Sequence, residues 1–291
     1  MILLDYNQIC ISNLMVHMNK NAILDEDLVR HMVLNSIRLY KKRFGDKYGE
    51  VVICCDDKNY WRKDIFPYYK AHRKGDREKS PYDWNMIFEC LNKIRDELKE
   101  TFPYRVIRVE RAEADDIIGT LCHEHGVLGV TVRARRDAHE RILILSGDKD
   151  FSQLQKYANV EQYSPMTKKW IRVNNPERYL REHIMRGDRG DGIPNFLSSD
   201  ACLVNGERQK PLSTRKLNDW VVSDVDDFCN DMMKRNYNRN EMLVNLDLVP
   251  QHIQDDVKDQ YDKYEVPEKR GLLNYFIKNR LKQLTEHIGE F

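Results

Sequence analysis

The stretch Ile142-Leu143-Ile144-Leu145-Ser146-Gly147-Asp148-Lys149-Asp150 decides how this sequence is read. Four apolar residues without polar alternation fit a strand buried on both faces of a parallel sheet. Ser146-Gly147 ends the strand, and two acids follow at its carboxyl end. The pattern recurs on working outward. Residues 2–5 form an apolar run closed by Asp5, residues 51–56 one closed by Asp56, and residues 105–110 read as a further strand. Helical spacing of apolar residues fills 25–44, 83–101 and 113–125. Strands alternating with helices predict a doubly wound α/β fold. After about Gly187 strand signals become scarce, and residues 213–222, 224–234 and 270–287 read as helices. A helical C-terminal region is therefore expected, packed on the α/β core or continuous with it. The polar segment 196–211 reads as a loop.

With 291 residues, 41% of them apolar, the chain can bury a substantial core. The 33% charged and 10% aromatic content excludes low-complexity disorder. No apolar run is long enough to span a membrane, and the early acid Asp5 argues against a signal peptide. The seven cysteines include no CxxC pair, as expected for reduced thiols in a cytoplasmic protein. Cys122-His123-Glu124-His125 lacks a second ligand pair and reads as a helix end rather than a zinc site.

Asp5, Asp56, Asp148 and Asp150 all follow predicted strands, and functional groups in open α/β sheets collect at the carboxyl ends of strands. Glu113-Ala114-Asp115-Asp116 opens a helix, where acids also suit the helix dipole. Asp188 and Asp191 lie on a glycine-rich turn, Gly187-Asp188-Arg189-Gly190-Asp191-Gly192. Any one of these acids has a bland reading, Asp116 as a helix-terminal charge in particular. Their shared placement predicts convergence. Two carboxylates ~4 Å apart repel by about 4 kcal/mol at an effective dielectric near 20, so a shared pocket needs cations. Oxygen donors without a matching His/Cys set favour Mg²⁺ or Mn²⁺ over zinc. Such a site suits two-metal hydrolysis of a phosphodiester, in which the ions activate water and neutralise developing charge.

The net charge is only +1, but charge is segregated. Residues 58–79 carry eight Lys/Arg against three acids, with Tyr60, Trp61, Phe66, Tyr68 and Tyr69 interleaved and no clean helical period. Bases alternating with rings are the footprint of a single-strand contact surface; a solvated loop with a hydrophobic anchor is the plainer alternative. Arg62, Lys63, Lys70, Arg73 and Lys74 are the candidate nucleic-acid contacts. Lys70 and Arg73 are the candidates for the scissile phosphate, as point charge and planar fork.

Taken together, these motifs resemble the flap endonuclease/5′-3′ exonuclease family. The likeness rests on Leu4-Asp5-Tyr6-Asn7-Gln8, Cys55-Asp56, Tyr60-Trp61-Arg62-Lys63-Asp64, Tyr68-Tyr69-Lys70, Glu113-Ala114-Asp115-Asp116, Ser146-Gly147-Asp148-Lys149-Asp150-Phe151 and Gly187-Asp188-Arg189-Gly190-Asp191. It implies a PIN-like 5′ nuclease core over residues 1–186, with a mostly parallel sheet flanked by helices. Residues 58–82 would form an arch-like basic segment, and 187–291 a helical region for duplex binding with a helix-hairpin-helix-like element. The implied activity is removal of RNA primers (a ribonuclease H activity) and 5′ flaps during replication. Two Mg²⁺ ions are implied, with Mn²⁺ able to substitute. Asp5, Asp56, Glu113 and Asp115 would serve chiefly the first, and Asp148, Asp150, Asp188 and Asp191 the second. Tyr69 joins Lys70 and Arg73 near the phosphate, and Gly192 and Ile193 begin the duplex clamp. Implied partners are DNA and RNA/DNA hybrid, with a single-strand-binding protein and a sliding clamp of a replisome. The protein would act as a monomer in the cytoplasm, that of the host if viral. Where many relatives carry a glycine-rich hairpin after this turn, this chain has Asn195-Phe196-Leu197-Ser198-Ser199.

Three rival readings stand beside this one, the first with the same chemistry on free RNA. A PIN-type endoribonuclease would not need the long basic segment. A phosphatase with an aspartyl nucleophile needs Asp-x-Asp after the first strand, where the chain has Asp5-Tyr6-Asn7. A non-catalytic nucleic-acid-binding module needs the bases but not the acids.

Overall fold

The structure is a computed structural model describing residues 1–18, 25–129 and 140–291. Six strands form one sheet: β1 (Ile2–Asp5), β2 (Val51–Cys54), β3 (Arg105–Ile107), β4 (Ile142–Leu145), β5 (Val160–Ser164) and β6 (Lys169–Ile171), in the order β3-β2-β1-β4-β5-β6. All pairings are parallel except β5 with β6. The chain runs outward from β1 to β2 and β3, then returns to the other side of β1 at β4. That reversal opens a crevice at the carboxyl ends of β1 and β4, where open α/β sheets bind ligands.

Side chains alternate across the sheet. Ile2, Leu4, Val51, Ile53, Leu143 and Leu145 face one core with α1 (Tyr6–Met18), α2 (Glu26–Tyr48) and α5 (Trp84–Thr101). Leu3, Val52, Cys54, Ile142 and Ile144 face the other, against α6 (Ala114–His125). Residues late in the chain close both sides. Ile253 and Val257 of α9 (Gln251–Asp262) join the α6 core. Leu272 and Phe276 of α10 (Leu272–Lys278), with Phe291, join the α5 core. Between them α7 (Pro176–Arg186) packs on α8 (Asp231–Val244), where buried Asn240 donates to the Ile184 and Pro194 carbonyls at 2.8 and 2.9 Å.

The basic segment holds two short helices, α3 (Arg62–Ile65) and α4 (His72–Glu78). It is anchored: Phe66 and Tyr69 pack with Ile193, Leu243 and Val244. Trp61, Phe66 and Tyr69 are buried and unavailable for stacking on bases, whereas Tyr68 stays exposed. A ring's polarity is the same inside and outside, so composition overestimated the stacking surface. Helices α1, α7 and α9 and the β5–β6 edge went unforeseen. Helix α1 starts directly at the end of β1, with no break and with apolar and polar residues mixed around its circumference. The β5–β6 edge carries polar Glu161 and Gln162, which hide its strand pattern.

Candidate active site

Each acid is held by the element that ends beside it. Asp5 closes β1 and accepts the Gln8 backbone N–H of α1 at 3.1 Å. Ser146, just past β4, donates to Asp5 Oδ2 at 3.2 Å and to Gln8 Oε1 at 2.9 Å, tying the two strand ends together. Asp56 accepts Asn7 Nδ2 and the Ala114 N–H at the start of α6, both at 2.7 Å. Asp148 accepts the Asp150 N–H at 3.0 Å, and Gln162 on β5 holds the Ser146 and Asp148 carbonyls. Asp5, Asp56, Glu113, Asp115 and Asp148 therefore line one crevice of about 480 Å³, with Asn7, Gln8, Tyr60, Lys70 and Arg73.

The electrostatics of the crevice are uneven. Burial, then the neighbouring charges of Asp56 and Asp148, pushes Asp5 up to about 7. Burial and Asp150 push Asp148 up to about 6. Asp115 is raised well above the usual carboxylate range by burial and Asp148, and Asp56 is raised by burial and Glu113. Glu113 is buried too, yet Lys70 and Arg62 outweigh that burial and hold it below the ordinary range. Lys70 Nζ lies 2.5 Å from Glu113 Oε1 and 3.6 Å from Asp191 Oδ2. Tyr69 donates to both acids, at 2.9 and 3.0 Å, and Arg73 reaches Asp191 at 2.6 Å.

The anchor of Lys70 is a backbone one. Its φ is +55°, a left-handed conformation that costs ~1–2 kcal/mol in a residue with a Cβ. Its N–H donates to the Asp191 carbonyl at 2.8 Å, fastening the basic segment to the acidic turn. Gly192 (φ +74°) lies against that junction: a Cβ there would meet the Tyr68 carbonyl at 3.1 Å and His72 Nδ1 at 3.3 Å.

Asp150 and Asp188 sit beside the crevice, and His183 of α7 stands with them. His183 Nε2 is 2.7 Å from Asp150 Oδ1 and 3.7 Å from Asp188 Oδ2, while Lys149 Nζ is 3.0 Å from Asp188 Oδ2. No sequence signal pointed to His183, which lies on an amphipathic helix and meets Asp150 only through packing. Gln162, which holds the Asp148 loop, was equally silent, whereas Asn7, Gln8 and Ser146 lay within the recognised motifs without an assigned role.

Three expectations need correction. Asp116 does not face the crevice: it accepts the Glu113 N–H at 2.8 Å, Trp61 Nε1 at 3.0 Å and the Arg62 guanidinium, so it caps α6 and holds the basic segment. Arg62, only 3% exposed, lies between Glu113 and Asp116 and donates to the Leu243 carbonyl. It cannot reach nucleic acid and neutralises acids instead. Ile193 is buried too, with its N–H spent on the Asp188 carbonyl. Lys63 and Lys74 remain exposed, as contact residues must. Cys122 is buried near the end of α6, and His123 pairs with the Tyr157 hydroxyl at 2.9 Å, consistent with a helix end.

The donor set suits hard divalent cations. Asp5, which is buried, and the partly buried Asp56, Asp115 and Asp148 line the crevice without enough protein cations to balance them, and their raised affinity for protons points to the same deficit.

Comparison with known proteins agrees with this geometry. The model of the 5′-3′ exonuclease N-terminal resolvase-like domain matches residues 17–184, and the T4 RNase H C-terminal model matches residues 175–291. Ribonuclease H of Enterobacteria phage T4 is 34% identical over 99% of this chain and 95% of its own length. Flap endonuclease Xni of Shewanella is 29% identical over 48% of this chain and 49% of its own. Among solved structures, the T5 D15 protein co-crystallised with metal ions superposes with a TM-score of 0.59 at 16% identity, covering 91% of this chain and 99% of that one. Matched over nearly its whole length, and with its acids gathered at the switch point of the sheet, the chain belongs to the flap endonuclease/5′-3′ exonuclease family of nucleases.

Proposed function

We propose that this nuclease hydrolyses phosphodiesters at the 5′ ends and flaps of DNA and of RNA/DNA hybrids, with Mg²⁺ as its working ion and Mn²⁺ as a substitute. The observation that carries the reading is the facing set Asp5, Asp56, Asp115 and Asp148 at the sheet's switch point. Divalent ions bound by these acids would supply an activated water and neutralise charge on the scissile phosphate. Asp5, Asp56, Glu113 and Asp115 would hold one ion, and Asp148, Asp150, Asp188 and Asp191 the other.

The protein's own groups do the rest. Lys70 lines the crevice and would offer its ammonium to the phosphate as negative charge develops. Arg73 would hold a neighbouring phosphate oxygen through its planar fork. Tyr69 orients Glu113 and Asp191 from below. Lys63 and Lys74 would follow the single strand, and the turn at Gly192 the duplex. Two names support the reading by likeness: T4 ribonuclease H, and a T5 D15 flap endonuclease complexed with DNA and metal ions. Action as a monomer beside a replisome's single-strand-binding protein and sliding clamp completes the proposal.

Labelled flap, nick and RNA/DNA hybrid substrates, incubated with Mg²⁺ or with EDTA, test it. Cleavage near the 5′ junction in Mg²⁺ only is the expected result. Binding without cleavage in Mg²⁺ would instead identify a binding module, and preference for unstructured RNA an endoribonuclease.

A further inference from the structure

The group Asp150, His183 and Asp188 differs from the rest of the site in offering a nitrogen. One ligand atom from each lies within 4.8 Å of the others. His183 is 7% exposed, and its Nε2 faces the two carboxylates at 2.7 and 3.7 Å. In an octahedral shell with bonds of ~2.1 Å, adjacent ligand atoms are ~3 Å apart and opposite ones ~4.2 Å. The two Nε2–carboxylate separations lie about 0.3 and 0.5 Å from the nearest of those values. The protein cation now on Asp188 is Lys149, whose side chain is 60% exposed and can swing into solvent when an ion arrives.

We propose that His183 joins Asp150 and Asp188 as a nitrogen ligand of the second divalent ion, so that this site is not all carboxylate. The inference rests on the divalent-ion reading above and refines it. Nε2 offers its lone pair while Nδ1 keeps the ring proton, and any proton that Nε2 shares with Asp150 leaves as the ion binds. Imidazole suits Mn²⁺, Co²⁺ and Zn²⁺ better than Mg²⁺, which prefers oxygen and keeps its waters. The second site should therefore favour Mn²⁺ over Mg²⁺ more strongly than the first.

The alternative is that His183 only donates a hydrogen bond to Asp150 and orients it. Mn²⁺ titration of the full chain, followed by pulsed EPR, separates the two. The expected result is a ¹⁴N coupling of directly bound imidazole that changes to the ¹⁵N pattern when histidine is ¹⁵N-labelled. This readout needs no variant and no activity. His183→Gln should abolish the coupling and weaken Mn²⁺ at that site by ~10-fold, with a smaller change for Mg²⁺. Two bound Mn²⁺ ions without nitrogen coupling would overturn the assignment and leave the divalent-ion reading standing. No bound Mn²⁺ at all would overturn both.

Discussion

Asp5, Asp56, Asp115 and Asp148 share a crevice with Glu113, yet the two sides of that crevice hold their charge in opposite ways. On the first side burial and like-charged neighbours raise the carboxylates, Asp5 to about 7 and Asp148 to about 6. On the second, Arg62 and Lys70 sit within hydrogen-bond distance of Glu113 and hold it ionised. Both sets are desolvated; what differs is whether the protein supplies the compensating cation. The balanced side keeps Glu113 ionised by the protein's own cations, and the unbalanced side leaves its charge for ions from solution to neutralise. A buried charge without a partner costs stability, and a site that keeps several is built for something other than stability.

The largest test breaks the unbalanced side. Asp115→Asn or Asp148→Asn should lower single-turnover cleavage by roughly 10²–10³-fold while substrate binding is kept. Turnover near wild type would remove the basis of the comparison. The same substitutions should raise the urea midpoint of the ion-free protein, since each removes a repelled buried charge. Arg62→Met attacks the balanced side: stranding Glu113 and Asp116 in the interior should destabilise by roughly 3–5 kcal/mol in urea unfolding. A loss under about 1 kcal/mol, in the range of exposed pairs, would mean those acids are not held by Arg62.

Lys70 stands on the boundary between the two sides. Lys70→Ala should reduce turnover by roughly 10²-fold with a much smaller change in substrate affinity. A loss confined to affinity would assign it to binding alone.

A pH series sharpens the comparison further. The folded-state affinities of Asp5 and Asp148 for protons exceed the usual 3.8. Their contribution to stability is therefore complete below about pH 4 and is lost as pH rises through 6 to 7. Glu113 and Asp188, shifted downward, act only at the acid end and do not mask this window. The melting temperature of chelated protein should fall by a few degrees between pH 5 and 7, less so in Asp5→Asn, and added Mg²⁺ or Mn²⁺ should restore it. Equal slopes for wild type and Asp5→Asn would show that Asp5 is not held protonated. The smallest effect belongs to Lys149→Ala, which removes a largely exposed partner of Asp188 and should change stability by under about 1 kcal/mol.

Local sequence carried much of this architecture. Short apolar runs such as Ile142 to Leu145, closed by turn residues, fit strands buried on both faces, so the sheet, its parallel sense and the acids at its carboxyl ends could be read from order. Those signals are local, because a strand's hydrophobic content and the residue that ends it are neighbours in the chain. Helix α1 escaped because its apolar and polar residues are mixed around the circumference without one apolar stripe, and β5 because Gln162 works in the interior holding the Asp148 loop.

The sequence by itself determined which residue types would be available at the site, and that they carry more negative charge than the nearby bases can balance. Only the tertiary structure decided which of them face one another. It turned Asp116 and Arg62 inward as a structural pair, buried three of the five rings of the basic segment, and set His183 beside Asp150 and Asp188. Each of those outcomes depends on burial and on contacts between residues far apart in the chain. Electrostatic energy varies with distance and with loss of water, and neither is written in the order of amino acids.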